Sequence, residues 1–496
     1  MLNILPSKKK FTEQANEGKI RPVYAELPFI PPRRIYETVE TPYSILLESI
    51  KGPEKIARYS FIGAGPFLVF KVKNGSVEIS CRGGKIISRS SPLKKLKELM
   101  SNYRMSAQKD IPPFTGGAAG IISYDFVHYF EDLPRSAVDD LDIPDAHFML
   151  LDTVIAVDHK LMKTFLISCP AAGEIITGVE TPVKNWGIYY DRACEKIKEL
   201  HKKITSDTSA AAANPAGRSG KPIEIHHEMG KKHYMNTVKR AKEYIRAGDI
   251  FQANLSQRVS ADIGDITAWK IYKVLSGINP SPFAGYLNMG NYYIAGSSPE
   301  RLVRVSGRRV ETRPIAGTRP RGSNEEGDRQ MRTDLLLNEK ERAEHLMLID
   351  LERNDLGRIS DYSTVEVDEL MITEDYSHVI HIVSNIRGTI ADNKDCFDAI
   401  RATFPGGTIT GVPKVRCMEI IDELEPVVRG PYTGSIGYIG FTGAMDLNII
   451  IRTFVIKDNI AYVQAGAGIV ADSDPEKEYY ETLKKAEALI KTLEVL

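Results

Sequence analysis

The sequence predicts an α+β fold built on large antiparallel β-sheets. Short apolar segments alternate with polar residues and are punctuated by Gly, Pro and Asn turns, as strands are. Longer segments carry apolar residues at spacings of three and four, as amphipathic helices do. The strand-like segments come in runs rather than in strict β-α-β alternation, which favours antiparallel sheets over a doubly wound parallel one.

Along the chain, residues 43–47, 67–72 and 154–157 read as strands, and 92–104 and 183–204 as helices. Residues 205–222, TSDTSAAAANPAGRSGKP, have almost nothing to bury and read as a flexible linker. It divides the chain into an N-terminal region, 1–204, and a C-terminal region, 223–496. In the second region, 233–247 forms a helix capped by Gly248, and 334–356 a longer one ending near Gly357. Segments 432–441, 448–456 and 461–465 read as strands. The last helix starts at Asp474-Pro475, an N-cap followed by proline at the first helical position.

Lys+Arg and Asp+Glu are equal at 65 each, which argues against nucleic acid as the main partner. No apolar run reaches the roughly 18 residues that span a bilayer, and the N-terminus lacks the order of a signal peptide. Cys81, Cys169, Cys194, Cys396 and Cys417 are scattered and form no CxxC pair. Together these features suggest a cytoplasmic protein without structural disulfides or a zinc site.

Two carboxylate pairs stand at i,i+3 spacing on predicted helices: Glu341 with Glu344, and Glu478 with Glu481. Two such pairs facing each other need a cation, and hard oxygen ligands suit Mg²⁺. The same spacing also suits solvated helix faces, with Arg342, Lys477 and Lys485 as partners. The turns Phe404-Pro405-Gly406-Gly407-Thr408 and Ala465-Gly466-Ala467-Gly468 let backbone amides approach an anion, but neither has nucleotide-loop spacing. Arg452 lies in the apolar run NIIIRTFVI and Tyr438 in SIGYIGF. An arginine there is either paired internally or kept to fork a carboxylate. His381, in HVIHIVSNI, is either a core residue or a proton donor.

Taken in order, seven segments resemble the chorismate-binding enzymes: ETRPIAGTRPRG, NEKERAEHLMLIDLERNDLGR, YSHVIHIVSNIRG, FPGGTITGVPKVRCMEIIDELEP, RGPYTGSIGYIGF, NIIIRT and AGAGIVADSDPEKEYYETLKKA. This family contains anthranilate synthase component I, aminodeoxychorismate synthase component I, and the isochorismate and salicylate synthases. The match covers 228–496. YSILLES, ARYSFIG and FTGGAAGIISYD extend it more thinly into the first region. The resemblance implies two large antiparallel sheets packed as a sandwich with helices outside. It also implies Mg²⁺ at Glu341, Glu344, Glu478 and Glu481. Arg452 and Tyr438 would hold the enolpyruvyl carboxylate. Gly466 and Gly468 would lie near the ring carboxylate, with Thr408 close by, and Lys485, Ala316, Gly317 and Thr318 belong to the same substrate set. His381 matches the acid that assists loss of the ring hydroxyl.

FQANLSQR at 251–258 has the glutamine form of the aminating branches, which implies ammonia from a separate glutamine amidotransferase subunit, component II. QANLSQR, NPSPFAGYL, SPERLVRV, FPGGTITG and TGSIGY resemble aminodeoxychorismate synthase, which aminates C4 in the p-aminobenzoate and folate pathway. Ala316 stands where many of those enzymes carry a lysine nucleophile, and alanine there is usual in anthranilate synthase, which aminates C2 and eliminates pyruvate. The first reading is therefore aminodeoxychorismate synthase component I, the alternative anthranilate synthase component I, and a third a non-catalytic paralogue acting as a binding protein. Leu47, Glu48 and Ser49, with Pro280 and Ser281, fall where the resemblance places a tryptophan site, with Phe283-Ala284 in place of the family's usual Tyr-Met; the same segment also suits an ordinary edge strand.

Overall fold

The computed structural model describes residues 2–178, 185–206, 223–376 and 379–496. Most of the expected linker, 207–222, lies outside them. Residues 205 and 206 complete the helix Trp186–Ser206. The strands form a 13-stranded and a 12-stranded sheet, paired antiparallel throughout. Strand Ser44–Glu48 pairs with Phe283–Asn288, Leu47 facing Gly285. Strand Gly117–Ile122 pairs with Ser435–Gly440, Gly120 facing Gly437. The N- and C-terminal regions thus share both sheets instead of each building its own.

The sheets stack as a sandwich. Ile45, Phe61, Ala156, Leu287, Ile294 and Val455 from one meet Ala119, Met149, Ile436 and Tyr438 from the other in a dry layer. Alternation along each strand makes this possible: Ile436 and Tyr438 face the layer, while Ile439 joins the cluster on the other face. Helices cover the outer faces. Phe11, Ile35, Ile197, Leu275 and Leu489, each from a different helix, pack against the larger sheet, and Leu96 and Ile400 share a cluster with strands of the smaller one.

Two expected elements are broken where the site is built. The helix expected over 334–356 is two helices, Glu325–Leu337 and Glu339–Gly357. Asn338 separates them: its side chain accepts from the Glu341 amide at 3.0 Å and caps the second helix. The strand expected over 448–456 is likewise two, Met445–Asn448 and Thr453–Lys457. Between them the Ile449 amide donates to Glu300 O at 3.0 Å and the Ile450 amide to Gly434 O at 2.9 Å, so the backbone leaves the ladder. Arg452 follows in a left-handed conformation, φ 51°, at a cost on the order of 1 kcal/mol. The last helix, Pro475–Val495, starts as expected, with the Asp474 carboxylate accepting from the amides of Glu476 and Lys477. All five cysteines are free thiols. No helix among the described residues is long and apolar enough to cross a membrane.

Candidate active site

Strands Gln252–Asp262 and Ile460–Ile469 run antiparallel, with Gly468 opposite Asn254 and Gly466 opposite Ser256. A Cβ on Gly466 would strike the Asn254 side-chain oxygen and stand 2.9 Å from the Tyr432 hydroxyl, and one on Gly468 would strike the Gln252 amide nitrogen. The two glycines therefore keep open a floor walled by Gln252, Asn254 and Tyr432. From the last helix, Lys485 donates to Gly466 O at 3.1 Å and pairs with Glu481 at 2.9 Å.

Arg452 lies near this floor, and its guanidinium makes no ion pair or hydrogen bond among the described residues. Its backbone carbonyl accepts from the Ser297 amide, which fixes the chain and leaves the guanidinium unengaged. Burial lowers its pKa, and Glu300 and Tyr376 oppose that. Glu300 is 6% exposed, and burial pushes its carboxyl up to about 7. The Thr408 hydroxyl, the Ile315 backbone, Arg452 and Lys485 all pull the other way and are outweighed. Thr408 lies beside Glu300, but its Oγ1 makes no hydrogen bond of good geometry. Buried atoms without partners gather here: Gln252 Oε1, Asn254 Oδ1, Glu300 Oε1, His381 Nε2 and Thr408 Oγ1. Buried polar groups are normally satisfied, so this concentration marks a place for a polar ligand.

His381 lies opposite Thr318 across strands Ile315–Pro320 and Val379–Thr389. Its Nδ1 is 2.9 Å from Thr318 Oγ1 and 3.3 Å from Gly317 O. Gly317, φ 71°, sits at the register shift between Ala316 and Thr318 that brings its carbonyl within reach. Burial and the nearby Arg452 push the His381 imidazole down to about 3. The expected acid is therefore neutral at ordinary pH. With its proton on Nδ1, directed at Gly317 O, the neutral imidazole has Nε2 as a free acceptor. Ala316 faces Ile382 and is 8% exposed.

The carboxylate pairs occupy neighbouring ground. Glu341 accepts from Arg319 at 3.0 Å, and Glu344 from Gln252 at 3.3 Å. Glu344 is pushed up by burial, and Glu341 and Glu481 add to the shift. Glu478 is also pushed up by burial, with Glu481 contributing. Among the described residues no three His, Cys, Asp or Glu side chains stand close enough to form a metal centre by themselves.

Tyr438 is elsewhere. Its ring stacks on Phe114, centroids 4.5 Å apart, and meets Phe61 edge-on at 5.3 Å. Strand parity aims it between the sheets, away from Arg452, and the tyrosine at the glycine floor is Tyr432. Tyr438 lines a separate cavity of about 460 Å³ with Leu47, Glu48, Ser49 and Phe283. Pro280 and Ser281 do not line it. The Ser281 hydroxyl is spent on Ser298 O and its carbonyl on the Ile50 amide, and Pro282 takes the wall position. The Glu48 carboxylate turns outward to Arg33 at 3.0 Å and the Tyr272 hydroxyl at 2.7 Å.

Glu300, Gln252, Asn254 and Tyr432 were not singled out by the sequence. A carboxylate two residues past the apolar strand Tyr293–Ser298 was the available signal for Glu300. Unfolded, Glu300 ionises near its ordinary 4.5; folded, at about 7. Between these values the unfolded chain has released a proton that the folded chain keeps, so stability falls as pH rises through the window. The loss is on the order of 3 kcal/mol. Glu300→Gln should remove that part, and urea midpoints measured from about pH 5 to about pH 8 should fall less steeply than in the parent. Equal slopes would show that Glu300 is not a buried acid.

A family profile described as chorismate binding enzyme matches residues 42–491. The chain is 44% identical over 479 residues to anthranilate synthase component 1 of Acetivibrio thermocellus, covering 93% of this chain and 94% of that protein. It is 41% identical over 458 residues to aminodeoxychorismate synthase component 1 of Bacillus subtilis, covering 91% and 92%. Anthranilate synthase component I from Streptococcus pneumoniae superimposes with a TM-score of 0.75 at 34% identity, over 93% of this chain and 97% of that one. The glycine floor and the strands around it lie within the matched span, and the chain belongs to the family of chorismate binding enzymes.

Proposed function

We propose that this chain is the chorismate-aminating component of a two-subunit synthase, supplied with ammonia by a separate glutamine amidotransferase subunit. The observation that carries the reading is Arg452, a desolvated guanidinium without an internal partner near a floor of unsatisfied polar atoms. Chorismate is a small dianion with an allylic hydroxyl. Arg452 would fork one carboxylate. The other would lie on the Gly466–Gly468 floor, near Lys485 and Thr408. Glu300, about half protonated near neutral pH, would in its acid form give its proton to the departing hydroxyl, whose oxygen gains charge as the C–O bond breaks. Neutral His381 would accept a hydrogen bond at Nε2 and orient the ring.

Amination at C4, to 4-amino-4-deoxychorismate, is the first reading, supported by the branch-specific segments. Amination at C2, to anthranilate and pyruvate, is the second. Ala316 favours it, because an alanine offers no covalent nucleophile. Purified protein given chorismate, Mg²⁺ and an ammonium salt should consume chorismate without producing fluorescent anthranilate. Anthranilate formed in the absence of a lyase would establish the second reading. Chorismate bound but never consumed would establish a non-catalytic binding protein.

Mg²⁺ fits the carboxylate set. Glu344 and Glu478 are half-buried beside like charges, a cost a divalent cation relieves. Glu341, Glu344, Glu478 and Glu481 would hold it directly or through water, and it would supply positive charge at the ring carboxylate. Glu344→Gln and Glu481→Gln should each raise the half-saturating Mg²⁺ concentration by at least about tenfold. Full activity in a chelator would end the magnesium assignment.

The second cavity suits a single amino acid. Its volume falls in the range of small-molecule sites, and its apolar walls, Leu47, Phe61, Ile111 and Phe283, carry polar groups from Ser49 and Asn448. Tryptophan is the ligand we assign to it. Titration calorimetry should register binding of L-tryptophan, weakened at least about tenfold in Ser49→Phe, which fills the cavity. No heat with the parent protein would exclude tryptophan.

A further inference from the structure

Strand Glu366–Asp375 pairs with the strand bearing His381, and Glu374 lies directly opposite His381. Glu374 is 5% exposed and engaged on both carboxylate oxygens. One oxygen meets Arg313 at 2.5 Å and Lys55 at 3.5 Å; the other accepts from the Tyr376 hydroxyl at 3.1 Å. Arg313 and Lys55 are themselves joined through Glu369, each at 2.7 Å. The Tyr376 ring stands edge-on to the His381 imidazole, centroids 5.1 Å apart and planes at 71°. Tyr376 also faces the catalytic charges, since Glu300 and Arg452 both register in its electrostatic surroundings. An unbroken line of contacts therefore runs Lys55–Glu374–Tyr376–His381. It begins on a segment of the N-terminal region that lines the 460 Å³ cavity.

The geometry needs this line. Thr318 and Gly317 hold His381 at Nδ1 only, which leaves the imidazole free to swing about that edge. The Tyr376 ring closes the swing from the side, and the ring is itself fixed by its hydroxyl. That hydroxyl is bonded to a carboxylate with two cations on it, so displacing it would break a buried charge-assisted network.

We propose that Tyr376 is a positioning residue for His381, anchored through Glu374 by Lys55 and Arg313, so that a side chain of the N-terminal region sets the geometry of the catalytic floor. Kinetics on chorismate as a measure of this role rest on the amination reading; the spectroscopic measure does not. Tyr376→Phe keeps the ring and removes the anchor. In protein labelled with ¹⁵N-histidine, the ring signals of His381, assigned by their loss in His381→Asn, should shift or broaden in Tyr376→Phe and in Glu374→Gln. Other histidines should stay in place. The kcat should fall about tenfold with KM for chorismate changed less than about twofold, as a misoriented group gives. Lys55→Met should lower kcat in the same direction, and the double variant Lys55→Met/Tyr376→Phe should lose no more than the worse single one. Unchanged His381 signals in Tyr376→Phe would overturn the proposal. Multiplying losses in the double variant would remove Lys55 from it. Shifted His381 signals without any chorismate turnover would leave the positioning role standing and sink the amination reading instead.

Discussion

The register between Ser44–Glu48 and Phe283–Asn288 is the constraint from which the 460 Å³ cavity and the placing of Glu300 follow. Leu47 faces Gly285 and Glu48 faces Ala284. A slip of one residue would turn Leu47 outward and bring the Glu48 carboxylate away from Arg33 and Tyr272 onto the inter-sheet face that Ile45 and Leu47 occupy. The pairing continues into the flanking turns, where the Ser49 hydroxyl donates to Pro282 O at 3.1 Å and the Ile50 amide to Ser281 O at 3.1 Å. Strand Phe283–Asn288 then hands the register on to Tyr293–Ser298, two residues before Glu300. The N-terminal region thus does more than flank the catalytic floor. It sets where the strand that delivers Glu300 ends.

Around that floor the structure concentrates unfavourable electrostatics. Glu300, Glu344, Glu478 and Glu352 are all held above their ordinary range, burial being the largest cause in each. Elsewhere the chain settles similar problems with internal partners. Arg429 is buried against Glu425 at 2.7 Å, and Arg313 against Glu374. Arg452, half-buried with a desolvated guanidinium, is given no such partner among the described residues. The contrast separates charges that hold the fold from charges kept for a ligand.

Much of this was legible locally. The cap at Asp474 and the i,i+3 spacing of the carboxylates on helices are short-range patterns, and the structure builds both where the sequence puts them, whereas residues 465–468, expected as a turn, lie inside strand Ile460–Ile469. Asn338 was equally local, yet the apolar periodicity on either side of it masks the break. What escaped depends on distant partners. The direction of Tyr438 follows from strand parity set by pairing with Gly117–Ile122, more than 300 residues away, and the break before Arg452 from hydrogen bonds to Glu300 and Gly434. The neutral state of His381 could not be read from HVIHIVSNI, because it comes from enclosure and from Arg452, remote in sequence. Ser281 falls behind the cavity wall, its hydroxyl spent on Ser298 and its carbonyl on Ile50, and Pro280 lies outside the lining with it.

The unpaired state of Arg452 also accounts for the protonation of its neighbours. Glu300 is a candidate for an internal ion pair, but burial keeps it about half protonated near neutral pH despite the pull of Arg452 and Lys485. A closed Arg452–Glu300 salt bridge would satisfy both groups and disable both, leaving no cation for a substrate carboxylate and no proton for a leaving hydroxyl. Keeping them apart costs stability, and a left-handed backbone at Arg452 adds to that cost. On the proposed reading the arrangement has a second effect. A carboxylate bound at Arg452 neutralises one of the charges that pull the Glu300 pKa down, so occupation itself strengthens Glu300 as the proton-bearing form. The same neutralisation relieves His381 of a cation that keeps it neutral, but burial, the larger cause, remains. Substrate binding would therefore separate the two groups further in role, Glu300 as the acid and His381 as the acceptor.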